Sequence, residues 1–142
     1  MKLDTMQLCL VEQQAELFEE LGRRNVDAKA FIKAYMNSKA VEELDLPYDR
    51  MQWAGKEYLF QEVMEESGLK PDPNCRRYDA EVLFYGGYIT RYWHYLTGES
   101  SKEIYRQCNE DQLLASYGLH IESNELAVED LKAAANSNTL NS

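Results

Sequence analysis

The sequence predicts an all-α fold: a compact bundle of about six to seven helices, with a possible helix break or hairpin at Gly86-Gly87. Three observations carry this. Apolar residues recur at steps of three and four along most of the chain. Side chains with helix-capping chemistry stand in front of these runs. Glycines follow several of them, where a helix ends most easily in a left-handed residue.

The first helix begins after Asp4, with Leu8, Val11, Ala15, Phe18 and Leu21 as its apolar stripe. Gly22, Arg23 and Arg24 suit its C-terminal end, where glycine relieves strain and cations favour the helix dipole. A second helix starts from Asp27, with Phe31, Ile32, Ala34, Tyr35 and Met36 forming a broad apolar side. Asn37 and Ser38 either break it or restart a short helix through Leu44. Pro47 marks the start of the third major helix, since its missing N–H costs little there. Met51, Ala54, Tyr58, Leu59 and Val63 carry that helix to about Glu66, and Ser67-Gly68 stops it.

Residues 70–74, with Pro71 and Pro73, form the one strong linker signal, because each proline restricts its predecessor. It reads as a hinge inside one domain, since neither half alone would bury much surface. Val82, Tyr85, Ile89, Trp93 and Leu96 then recur at helical steps. Within that run Gly86-Gly87 costs a helix roughly 2 kcal/mol against alanine, so the pair either breaks the helix or lets another backbone approach. The competing reading is a hairpin of two β-rich runs around the glycines.

Thr97 to Leu131 holds three helix starts and two stops. Ser100 with Glu103 and Asn109 with Gln112 have capping-box spacing, Ser123 caps a third helix, and Gly98 and Gly118 are the stops. Residues 1–135 make a single helical domain, and 136–142 read as a flexible tail.

With 142 residues, 44% hydrophobic and 28% charged, the chain can bury a core without disulfides or metals. Cys9, Cys75 and Cys108 lack CxxC spacing, which fits reduced thiols in a bacterial cytoplasm. No apolar run approaches the ~20 residues that span a bilayer, and acidic residues interrupt the N-terminal stretch, so neither membrane nor export is expected. The net charge is −10, with nine basic against fourteen acidic residues in 1–70 and six against eleven in 71–142. An evenly acidic chain repels nucleic acid and favours a basic protein partner.

Catalytic and metal-binding patterns are lacking: there is no HExxH, CxxC, Ca²⁺ loop, P-loop or GxSxG, and no cofactor is expected. Adjacent carboxylates such as Glu65-Glu66 do not face each other on a helix. His94, inside a tyrosine-rich run, and His120, after Gly118, are the two histidines, each with a structural and a functional reading. Ten tyrosines are the compositional oddity. Tyr85, Tyr88, Tyr92 and Tyr95 fall on one helical stripe, which is either core lining or, with Arg91 beside it, an interface patch.

Thr97-Gly98, Ser101, Glu103-Ile104-Tyr105, Leu114, Tyr117, Leu119-His120, Glu125, Ala127 and Val128-Glu129-Asp130-Leu131 together resemble a small uncharacterised family of bacterial helical proteins. Its members are often encoded beside putative ADP-ribosyltransferase-like proteins, and the resemblance covers about the last quarter of the chain. It implies a toxin–antitoxin or similar partner system. The expectation is a non-enzymatic, acidic, antitoxin-like interaction module with partner-binding candidates Tyr85, Tyr88, Arg91, Tyr92, Tyr95 and His120. The alternatives are an acidic nucleic-acid mimic or inhibitor, and a small enzyme using His94, Tyr92 and Glu81. A DNA-binding helix-turn-helix is disfavoured because no helix is basic.

Overall fold

The computed structural model describes residues 2–118 and 123–141, with the side chains of 138–141 excepted. Eight α-helices follow one another: α1 (Thr5–Glu19), α2 (Ala28–Met36), α3 (Lys39–Asp45), α4 (Lys56–Ser67), α5 (Ala80–Thr97), α6 (Ser101–Gln107), α7 (Glu110–Ala115) and α8 (Asn124–Asn141). A 3-10 turn, Arg50–Trp53, precedes α4. No strand occurs among the described residues. The all-α bundle is therefore as the sequence predicts, divided into more and shorter helices.

Capping chemistry explains most of the starts. Asp4 and Gln7 form a reciprocal box at α1, as do Ser100 with Glu103 at α6 and Asn109 with Gln112 at α7. Asp27, Ser38 and Asp79 each accept a backbone N–H from the first turn of α2, α3 and α5. The Ser123 hydroxyl accepts from Leu126 N–H at 3.3 Å. Gly68, Gly98 and Gly118 take the left-handed conformation at their stops.

Four local readings change. The left-handed residue after α1 is Asn25 (φ 59°), not Gly22, because an asparagine side chain tolerates that region. Arg77 then clamps this turn: Nη2 donates to Asn25 Oδ1 at 2.6 Å, and Nη1 donates to the Gly22 carbonyl. Within the expected third helix, Gly55 adopts φ 87°, so Pro47 leads into the 3-10 turn and α4 starts only at Lys56. On α1, Leu8 faces solvent, while Leu10, Gln14 and Leu17 join the buried side. Finally, α8 continues through Asn141 into the segment read as a tail, where no proline or glycine interrupts the helix.

The core gathers around α1 and α5. Phe18, Phe31, Tyr35 and Phe60 form an aromatic group: Phe18 meets Tyr35 edge-on at 5.1 Å and Phe31 stacks on Phe60 at 5.6 Å. Leu17, Leu21, Val41, Leu59, Val63, Ile89, Trp93, Ile104 and Val128 are among the other buried residues.

The two central glycines lie inside one uninterrupted helix, so neither break nor hairpin forms. Their roles differ. A Cβ on Gly87 would stand 2.5 Å from the Gln14 carbonyl oxygen and 2.8 Å from Ala15 Cα, because the two helix backbones touch there. A Cβ on Gly86 would meet only Leu113 and Leu114 side chains at 3.4–3.6 Å. Gly87→Ala should therefore lose about 3 kcal/mol, since backbone must move. Gly86→Ala should stay within about 1 kcal/mol of wild type, on the stabilising side, through better helix propensity. Urea denaturation of both variants measures the contrast, and equal losses would contradict this assignment.

Candidate functional site

Arg91 stands mid-way along α5, where its helix faces inward, and is only 1% exposed. A buried guanidinium must be paired and hydrogen-bonded or it would cost several kcal/mol, of order 3–5 when one partner is removed. Here Nη1 donates to Asp45 Oδ1 at 2.7 Å, Nε to Gln14 Oε1 at 3.0 Å, and Nη2 reaches Ser101 Oγ at 3.4 Å. Burial works against its charge, but the Asp45 carboxylate more than restores it.

Gln14 is equally determined. Its Oε1 also accepts from the Tyr35 hydroxyl at 2.6 Å, and its Nε2 donates to Gly87 O at 2.9 Å and Thr90 Oγ1 at 2.8 Å. All four amide valences are thus used. Asp45 closes the cluster by accepting Ser101 N–H at 2.7 Å and the Ser101 hydroxyl at 3.0 Å, tying the end of α3 to the start of α6.

His94 lies one turn further along α5. Its Nδ1 is 2.6 Å from the Glu99 carbonyl, so this nitrogen carries the donated N–H, and 3.9 Å from Asp45 Oδ1. Burial, then the nearby Arg91 charge, lowers its pKa below the usual 6.5. Glu99 anchors the following turn. Burial opposes its ionisation, yet hydrogen bonds from Lys132, Gln107 and Trp93 bring it down to about 2.

The tyrosine stripe divides in two. Arg91 and Tyr92 (7% exposed) belong to the interior, which corrects the expectation of a continuous surface patch. Arg91 turns inward because Asp45, Gln14 and Ser101 converge on it, and the Tyr92 hydroxyl donates to Glu125 at 3.4 Å. Tyr85, Tyr88 and Tyr95 are half-buried. His120 lies outside the described residues.

Tyr85 and Tyr88 open onto a groove of about 590 Å³ together with Phe84, Tyr117, Glu19 and Glu81. Phe84 stacks with Tyr88 at 6.3 Å, and Tyr85 meets Tyr117 edge-on at 5.7 Å. The Tyr117 hydroxyl donates to Glu81 Oε2 at 3.0 Å, and the Ser116 hydroxyl reaches that of Tyr85 at 3.2 Å. Among the described residues no lysine or arginine lines this groove. Nothing in the sequence singles out Phe84, and Tyr117 figures there only in the family resemblance; Tyr117 comes from the turn after α7, and nothing local signals the meeting.

His94, Tyr92 and Glu81 do not share a pocket. His94 lines a different cleft with Tyr95 and Asp45, Glu81 borders the groove, and Tyr92 lies between α5 and α8. Among the described residues no group of three or more His, Cys, Asp or Glu is placed to hold a metal ion. Burial pushes the Cys108 thiol up to about 12, which suits packing and not nucleophilic chemistry. Among the described residues no helix is long and apolar enough to cross a membrane.

Removing one partner of the central ion pair tests its role. Arg91→Ala should cost about 3–5 kcal/mol, because Asp45, Gln14 and Ser101 would lose their buried partner, whereas a surface arginine such as Arg23 should cost under about 0.5 kcal/mol on the same change. Chemical denaturation of both reads the difference. A pH series tests His94: the unfolded imidazole takes its proton near 6.5, the folded one resists, and stability therefore falls as pH drops through that value. The decline should appear between about pH 7 and pH 5, before Glu99 begins to contribute, and His94→Asn should remove it. A wild-type and variant difference that does not change with pH would contradict it.

No family model, no curated protein and no solved structure matches this chain.

Proposed function

We propose that the chain is a non-enzymatic protein-interaction module that receives a basic segment, tipped with apolar side chains, of a partner protein in the groove of Phe84, Tyr85, Tyr88 and Tyr117. The observation that carries this reading is the groove's composition: four aromatic rings, the Glu19 and Glu81 carboxylates, and no cationic side chain among the described residues of the lining. Tyrosine buries large area at small entropic cost, so it dominates binding energy at many interfaces. The carboxylates and the overall charge of −10 favour a basic partner and speed its approach. The family resemblance of the last quarter, with its antitoxin-like implication, adds the class of partner: a protein encoded nearby, such as a toxin. The dispersal of His94, Tyr92 and Glu81 supports the non-enzymatic side of the proposal.

Photo-crosslinking tests it. A photoreactive residue at Phe84 should capture a protein partner in the native cell, and one at exposed Glu12 on α1 should not. With that partner purified, Phe84→Ala with Tyr88→Ala should weaken binding at least about ten-fold. Glu19→Gln with Glu81→Gln, which leaves the rings in place, should reduce the association rate and its salt dependence. Binding untouched by both pairs, or capture of nucleic acid in place of protein, would overturn the reading.

A further inference from the structure

The last helix is held differently from those around it. Among the described side chains of α8 only Ala127 and Val128 are buried, with Leu131 and Lys132 half-buried beside them, while Leu126 and Glu129 face solvent. Residues 133–138 are alanine, asparagine and serine, which offer little apolar area to bury. By contrast α5, also of 18 residues, buries side chains from Leu83 to Trp93. The hydrogen bonds of the Gln14, Asp45, Arg91 and Ser101 cluster run among α1, α3, α5 and α6, so α8 can leave without breaking them.

The inner side of α8 rests on α5 and α6. Lys132 Nζ stands 5.8 Å from the centre of the Trp93 ring, which is fully buried, and the Tyr92 hydroxyl donates to Glu125 at 3.4 Å. Lys132 also pairs with the Glu99 carboxylate and donates to Gln107 Oε1 at 3.2 Å. Glu99 keeps other donors if α8 departs: Trp93 Nε1 at 3.2 Å from α5, and Gln107 Nε2 from α6. Both the Trp93 N–H and the Glu99 carboxylate then remain hydrogen-bonded, and the usual penalty for stranding a polar group does not arise.

The helix also touches the site proposed above. Asn124, its first residue, lines the tyrosine groove with Tyr85 and Tyr88. One turn further along α5 the same aromatic run passes under α8 as Tyr92.

We propose that α8 is a detachable cover, which lifts from α5 and α6 as a unit while the rest of the bundle stays folded, and so exposes Tyr92 and Trp93 as a continuation of the groove. An element with few buried apolar side chains opens at a smaller free-energy cost than the whole chain unfolds. The pairing of Lys132 with Glu99 favours the closed arrangement, and reversing that charge disfavours it. This opening is a property of the free chain and stands whether or not the groove has a partner.

Native-state hydrogen exchange of the full chain, read by NMR, tests the proposal. The amides of residues 127–132 should exchange at least about ten-fold faster than those of 14–18 on α1. They should share one protection factor and lose it together in dilute urea, as a cooperative opening that exposes surface does and simple fraying does not. In a Trp53→Phe background Trp93 is the sole tryptophan. There Lys132→Glu, which sets a carboxylate against Glu99, should raise acrylamide quenching of Trp93 at least about three-fold, with the amides of α1 and α5 still protected. Lys132→Arg keeps the charge and should behave like the parent. Protection at 127–132 equal to that of α1, a Trp93 that stays shielded in Lys132→Glu, or loss of protection in α1 and α5 along with α8 would overturn the proposal.

Discussion

The contact of the Gly87 backbone with the backbone of α1 at Gln14 and Ala15 sets the geometry of the interior. With no side chain at 87, the Gln14 amide reaches the Gly87 carbonyl, and the other end of that amide faces Tyr35 and Arg91. Arg91 in turn requires a carboxylate, which Asp45 brings from the end of α3, and Asp45 then holds the first N–H of α6. Four helices besides α5 are thus positioned through one sequence of hydrogen bonds. A larger residue at 87 would displace the donor on which each later link relies.

A buried ion pair of this kind is weak evidence for stability in itself, since desolvating both charges costs about as much as their attraction returns. Its contribution is to make alternatives expensive. Any packing of α3 or α6 that leaves Asp45 or Arg91 without partners strands a charge in the interior, so slipped arrangements of these seven-residue helices are excluded. Short helices have little intrinsic stability, and they need this external definition.

These dependencies explain what could be read in advance. Capping is encoded within four residues, so Asp4, Asp27, Ser100 and Asn109 announce their helices, as do Gly98 and Gly118 at the stops. Gly86-Gly87 stayed ambiguous because the partner that resolves it lies on α1, over seventy positions away. Arg91 looked like a surface residue for the same reason: its three partners come from α1, α3 and α6. Among the tyrosines, spacing alone places Tyr85, Tyr88, Tyr92 and Tyr95 together, whereas the arrival of α8 over Tyr92 separates them. Tyr48 and Trp53 gave no periodic signal at all, being set by a left-handed residue and a 3-10 turn.

The separation of Gln14 from Gly87, 73 positions, also bears on how the chain comes to be folded. Closing so long a loop is entropically costly before any contact rewards it. In a chain not yet folded, the inward side of α1 lacks its main cover until α5 docks across that separation. Val11, Phe18 and Gln14, all buried in the fold, depend on that long-range pairing for their cover.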